Sequence, residues 1–142
     1  MITRTASAIW EGNLVKGKGT VALGSGAFEG AYSFTSRFED GTGTNPEELI
    51  GAAHAGCFSM ALSAILAEAG FTPIQVATKA AVKMDKVEGG FKIMRIDLTT
   101  EAEVPGIDEA TFLEHATAAK GGCPVSQALA SVEITLSAHL IG

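Results

Sequence analysis

Charge, aromatic rings and cysteine are all in short supply in this 142-residue chain. Charged side chains make up 18% of it, against roughly 25% in ordinary soluble domains, so part of the surface is expected to be covered by another subunit. Positive charge is the scarcer sign: 10 Lys and Arg face 16 Asp and Glu, a net charge of −6. That balance removes the basic excess on which phosphate-backbone binding depends, and with it nucleic acids and anionic membranes as expected partners. Nothing near the N-terminus pairs a basic segment with a long apolar core, so no secretory signal is expected and a reducing cytoplasm is the expected location. In that compartment two cysteines are more often catalytic or metal-binding than structural. The chain also lacks a dinucleotide-binding glycine fingerprint, a phosphate-binding loop, internal repeats and low-complexity linkers. Its length matches one domain, residues 1–142, with room for one core.

What the chain does hold is apolar content, 46% of residues, with 17 glycines and a mean hydropathy of +0.27. Residues 49–67 carry no charged side chain, a run close to the length a bilayer requires. It contains His54, Ser59, Ser63 and two glycines, is otherwise rich in alanine, and lacks the basic and aromatic flanks that anchor a spanning helix. A helix buried inside a soluble assembly is expected instead. So much apolar surface exceeds what one small domain needs to bury, which predicts a dimer. Gly51, Ala52, Ala55 and Gly56 would let two such helices approach closely.

Short and β-branched residues alternate over 2–10 and 15–23 around Gly12, predicting a hairpin, and Tyr32 and Phe34 alternate with Ser33 and Thr35, predicting a third strand over 31–37 that ends on Arg37. Asn45-Pro46-Glu47-Glu48 is a helix start: an N-cap, a proline at the first helical position and acids in the first turn, with Glu48 completing a capping box. The helix should run to about residue 69, where Gly70 supplies a left-handed C-terminal residue and Pro73 prevents continuation. With apolar residues all round it, it should be central and buried. A second hairpin, 74–85 with 91–104, turns at Gly89-Gly90, and a change of apolar parity near Ile93 marks a β-bulge. Asp108 caps a second helix through about residue 120, Gly121-Gly122 ends it, and Cys123-Pro124 opens a short helical turn. Val132, Ile134, Leu136, Ala138 and Leu140 then alternate as a last strand. Grouped strands, rather than strict alternation with helices, define an α+β domain.

Cys57 lies too deep in the long helix for the helix dipole to lower its pKa. By itself it reads either as a small buried apolar residue among alanines or as a thiol that a nearby cation must activate. Cys123, before a proline at a helix start, is either a small loop residue or a thiolate stabilised by backbone N–H groups. Their separation excludes a Cys-x-x-Cys dithiol, but a peroxidatic and a resolving cysteine need no closeness in sequence. Of the three arginines, Arg37, just upstream of the loop feeding the long helix, is better placed than Arg4 or Arg95 to supply the cation, and its fork can engage two partners at once. Such an arginine needs an orienting carboxylate, and Glu47 and Glu48 stand one helix start away. Both acids also read simply as complements to the helix dipole. His54 and Cys57 share a helical face and would, with His115 or Cys123, make a metal site, against the reading of His54 as a hydrogen-bonded core residue.

The motifs Asn45-Pro46-Glu47-Glu48-Leu49-Ile50-Gly51-Ala52-Ala53-His54-Ala55-Gly56-Cys57-Phe58-Ser59-Met60-Ala61-Leu62 and Gly122-Cys123-Pro124-Val125-Ser126-Gln127 resemble the OsmC/Ohr family, and the resemblance extends over the whole chain. Thr35-Ser36-Arg37-Phe38-Glu39, just upstream of the helix, places it nearest the osmotically inducible protein C branch. The resemblance implies an OsmC-like fold with an antiparallel sheet of about six strands, a long central buried helix, and an intertwined homodimer with its sites at the subunit interface. It implies a thiol peroxidase that reduces organic hydroperoxides, and hydrogen peroxide more weakly, in oxidative and osmotic stress defence. Cys57 would be the peroxidatic cysteine, Cys123 the resolving one, Arg37 the activating cation and Glu47 its orienting carboxylate. A Cys57 sulfenic acid would condense with Cys123 to a Cys57–Cys123 disulfide, which an external dithiol, a lipoyl protein among related members, would reduce; no cofactor or metal enters. Two other classes fit the same residues: a non-enzymatic thiol redox sensor, and a metal-binding module using His54, Cys57 and Cys123.

Overall fold

In the computed structural model, which describes residues 1–142, the chain falls into two units, residues 1–49 and 50–142. The first is an antiparallel meander of β1 (Ala6–Glu11), β2 (Lys18–Leu23) and β3 (Glu29–Tyr32), in that order across the sheet. Any side chain at Gly19 would run into the rings of Trp10 and Tyr32, whose centroids lie 5.3 Å apart; glycine is what lets the two rings meet over the strand. The expected third strand over 31–37 is corrected: it stops at Tyr32, and the chain turns into a short helix, α1 (Phe34–Phe38). The Ser33 hydroxyl accepts from the Ser36 N–H at 3.2 Å and the Ser36 hydroxyl from the Ser33 N–H at 2.8 Å. Two serines so spaced satisfy a helical turn locally, and that overrides the alternation of Phe34 with Thr35.

The long helix, α2 (Pro46–Glu68), starts as expected, with the Asn45 side-chain oxygen accepting from the Glu48 N–H at 2.7 Å. The Glu48 carboxylate, expected to close a capping box, accepts instead from the Thr44 hydroxyl at 2.8 Å. Gly70 follows the helix at φ +93°, the left-handed conformation expected of it.

In the second unit β4 (Gln75–Val87) and β5 (Gly90–Glu103) form a hairpin, followed by α3 (Glu109–Gly122), α4 (Pro124–Ala128) and β6 (Glu133–Leu140). Lys83 pairs with Arg95 and Met84 with Ile93, leaving Met94 as the extra residue of a bulge where the parity change predicts one. β6 lies beside β5 and parallel to it, Ile96 opposite Ile134 and Leu98 opposite Leu136. The class is α+β as expected, but antiparallel pairing is corrected for these two strands, because α3 and α4 form the kind of helical crossover that returns a strand in parallel. The six strands make two three-stranded sheets.

Ile96, Leu98 and Ala102 line the buried face of β5 and pack with Phe58, Leu62 and Leu66 of α2 and Phe112, Ala116 and Ala119 of α3. Each large apolar side chain so buried contributes roughly 1.5–3 kcal/mol. Direction comes from hydroxyls: Ser59 donates to Thr78 at 2.7 Å, Thr78 shares a bond with the buried Thr100 at 3.0 Å, and Thr100 donates to the Ala77 carbonyl at 3.2 Å. These bonds fix the rotation of α2 on the sheet, which apolar contacts alone leave free to roll. α2 is buried along one stripe, His54, Phe58, Leu62 and Leu66, while Ala52, Ala53, Gly56 and Met60 are exposed. The expectation of burial all round is thus corrected for the single chain, since a helix laid on one sheet buries the face toward it. By length and composition alone α2 could cross a membrane, but its buried stripe is the core of this fold.

Candidate active site

Phe58 points into the core, and Cys57, about 100° round the helix from it, stands half-buried at the edge of that stripe. Cys123 arrives at the junction of two helices. Its N–H donates to the Ala119 carbonyl, closing α3, and its carbonyl accepts from the Gln127 N–H, opening α4, both at 3.0 Å. Its backbone is extended, φ −61° and ψ 127°, the conformation favoured by a residue that precedes proline. Pro124, rather than Gly121-Gly122, therefore ends α3; both glycines are helical, which corrects the expected stop.

This break brings the two sulfurs to 2.8 Å, both thiols free, across 66 residues of sequence. Burial pushes the Cys57 thiol up, and its hydrogen bond with Cys123 adds to the rise. Burial raises Cys123 as well, but its hydrogen bonding with Cys57, with Ser126 and with the Val125 backbone outweighs it and brings Cys123 below the ordinary thiol value. The two neighbouring thiols are thereby shifted in opposite directions, Cys57 up and Cys123 down.

Beside the sulfurs, His54 Nε2 and Ser126 Oγ are 2.7 Å apart. His54 is fully buried, burial lowers its pKa, and its Nδ1 has no hydrogen-bond partner. His54 and Cys57 are spaced i, i+3 on α2, and Cys123 and Ser126 are spaced i, i+3 at the start of α4, so the four side chains meet as two adjacent rungs. His54 is thus a hydrogen-bonded core residue, fully buried and bonded to Ser126. Ser126 has no role in the sequence reading, and its signal was the i, i+3 spacing from Cys123.

In the first unit Arg37 meets Glu47 as a fork, Nε to Oε1 at 3.0 Å and Nη2 to Oε2 at 2.9 Å. The Ser36 hydroxyl donates to the Thr44 carbonyl at 2.7 Å and the Asn45 amide to the Ser36 carbonyl at 3.1 Å, tying α1 to the start of α2. Glu48 being turned to Thr44, Glu47 is the acid that takes the arginine, and it is largely buried. The Arg37 guanidinium also lies 5.2 Å from the centre of the Phe38 ring. A groove of about 400 Å³ runs past it, lined by Trp10, Leu14, Tyr32, Phe34, Phe38 and Arg37.

The family described as OsmC-like protein matches residues 39–137. The chain belongs to the OsmC-like family. It is 55% identical over 140 residues to Peroxiredoxin OsmC of Escherichia coli (strain K12), covering 98% of this chain and 97% of that protein. To the Organic hydroperoxide resistance protein of Xanthomonas axonopodis pv. citri (strain 306) it is 33% identical over 99 residues, 68% of each chain. The crystal structure of the Organic Hydroperoxide Resistance Protein OhrB of Bacillus subtilis aligns with a TM-score of 0.68 at 26% identity, covering 96% of this chain and 98% of that one. The family resemblance read from the motifs around Cys57 and Cys123 is thereby borne out.

Proposed function

We propose that this OsmC-like chain is a cysteine-based peroxidase that reduces organic hydroperoxides to alcohols, and hydrogen peroxide more weakly, in oxidative and osmotic stress defence. The observation that carries the reading is the pair of free sulfurs 2.8 Å apart in a chain whose relatives are named as a peroxiredoxin and as organic hydroperoxide resistance proteins. The Cys57 thiolate attacks the distal peroxide oxygen; the O–O bond breaks, the alkoxide leaves and takes up the proton that the Cys57 thiol released, giving the alcohol, and Cys57 becomes a sulfenic acid. Cys123 attacks the Cys57 sulfur, water leaves, and the Cys57–Cys123 disulfide is reduced by an external dithiol, for which a lipoyl protein is the candidate. Burial disfavours the Cys57 thiolate, so the first step needs a cation. We assign that role to Arg37, oriented by its fork to Glu47.

In this reading residues 1–142 act as one domain in the cytoplasm, as an intertwined homodimer. Support for the dimer comes from the exposed stripe of small residues and Met60 on α2. The test is steady-state consumption of cumene hydroperoxide and hydrogen peroxide with lipoyl, thioredoxin and glutathione donors. Multiple turnovers with a dithiol, faster on cumene hydroperoxide, are expected. A single oxidation without turnover would favour the redox-sensor reading instead.

A further inference from the structure

The two sulfurs differ in reach. Cys57 stands half-buried, whereas Cys123 has 0% of its surface exposed. Its own chain makes that seal, so no assembly of copies opens it. Nor is Cys123 free to swing out: its N–H is held by the Ala119 carbonyl and its carbonyl by the Gln127 N–H, each at 3.0 Å, while the Gln127 side-chain amide donates to the Gly122 carbonyl at 3.0 Å. Exposing Cys123 would break the end of α3 and the start of α4 together. Closing the bridge moves the sulfurs only from 2.8 Å to about 2.05 Å, so the burial of the reduced pair carries over to the disulfide.

Thiol–disulfide exchange requires the attacking thiolate to touch the sulfur it attacks, so access decides between the two sulfurs of a bridge. We infer that the external dithiol enters at Cys57 and that Cys123 is the leaving group, so that oxidant and reductant are met at one and the same sulfur. The inference rests on the peroxidase reading above. In the first exchange the reductant's thiolate bonds to Cys57 Sγ, the Cys57–Cys123 bond breaks, and Cys123 leaves as a thiolate that takes up the proton the attacking thiol gave up. In the second, the reductant's other thiolate attacks the reductant sulfur of the mixed disulfide, Cys57 leaves in the same way, and the dithiol departs oxidised to a disulfide while the two cysteines have gained two electrons and two protons.

The test maps the mixed disulfide. Wild-type protein, oxidised to the Cys57–Cys123 bridge with diamide, is exposed briefly to the monothiol β-mercaptoethanol, which cannot complete the second exchange by itself, and is quenched with a maleimide that caps the released cysteine. Peptide masses should show mercaptoethanol on Cys57 and maleimide on Cys123. Mercaptoethanol on Cys123, or on both cysteines equally, overturns the inference. A second measurement decides the matter even where the bridge recloses before it is caught: the rate of maleimide capture of Cys57 in Cys123→Ser and of Cys123 in Cys57→Ser, each divided into its rate in the urea-unfolded variant. Folding should protect Cys123 at least about tenfold more than Cys57, since a sealed thiol reacts only through openings of the fold. Equal protection overturns the inference. Failure of the wild type to consume peroxide overturns the peroxidase reading instead, and because diamide makes the bridge without peroxide, the map still decides which sulfur the thiol attacks.

Discussion

Cys57 Sγ and Cys123 Sγ lie 2.8 Å apart with no bond between them, so only a short approach separates them from the roughly 2.05 Å of a disulfide. The proximity depends on Pro124, which forces Cys123 out of the helical conformation at the end of α3. It depends equally on Ser59, Thr78 and Thr100, which hold α2 in one rotation.

Loss of the second sulfur should leave the first step intact in kind. Cys123→Ser is expected to reduce one equivalent of peroxide per chain and then to accumulate sulfenic and, in excess peroxide, sulfinic acid at Cys57. Mass spectra of the peroxide-treated variant check this, and a Cys57 that stays a free thiol contradicts it.

Removing the guanidinium should raise the Cys57 thiol further. In Arg37→Met the alkylation midpoint of Cys57 is expected to move up by about one unit or more, with about a tenfold loss of peroxide reduction near neutral pH, the scale of losing one close opposite charge. Glu47→Gln should show a smaller loss, because the arginine keeps its charge and loses its orientation. Identical midpoints in wild type and Arg37→Met would place the activating cation elsewhere.

Asp97 supplies a pH signature of stability apart from the thiols. Hydrogen bonds from Lys83 and Thr135, with Arg95 beside them, hold its carboxyl at about 2 against an ordinary 3.8. A folded-state pKa below the unfolded value means stability that is present above about pH 4 and lost as pH falls toward 2. Asp97→Asn should therefore lower the urea midpoint at pH 7, and the gap to wild type should narrow between pH 4 and pH 2. A gap of constant size across that range contradicts the linkage.

Much of this architecture was legible in local chemistry. Asn45-Pro46 announced α2, Gly70 its end, and the parity change at Ile93 the bulge beside Met94, because caps and alternation act over a few residues. What escaped depended on competition or on distance. The helical turn at Ser33–Ser36 beat the alternation of Phe34, and Pro124 ended α3 in place of two glycines. The parallel pairing of β5 with β6 is set by a crossover that no local pattern records. Cys57, Cys123, Arg37 and Glu47 stood out by residue type and motif, whereas the His54–Ser126 bond joins residues 72 apart, a contact that only the folded chain reveals.

Assembly has its own test at Gly56, where an added side chain would meet nothing of its own chain. Sedimentation equilibrium of the wild type should give twice the 14.5 kDa chain mass, and Gly56→Glu should fold yet shift toward the single chain by placing a charge on the exposed stripe. A wild-type mass near 14.5 kDa with full activity contradicts the dimer.

The central claim is that Cys57 and Cys123 together carry one peroxide reduction, and a single-turnover experiment tests it most directly. One equivalent of cumene hydroperoxide is added to the fully reduced protein, the reaction is quenched with a thiol-alkylating agent, and peptide masses and released alcohol are counted. The account predicts one Cys57–Cys123 disulfide and one alcohol per peroxide consumed, and neither in Cys57→Ser. Unconsumed peroxide with both thiols still alkylated, or alcohol formed as readily by Cys57→Ser, would contradict it.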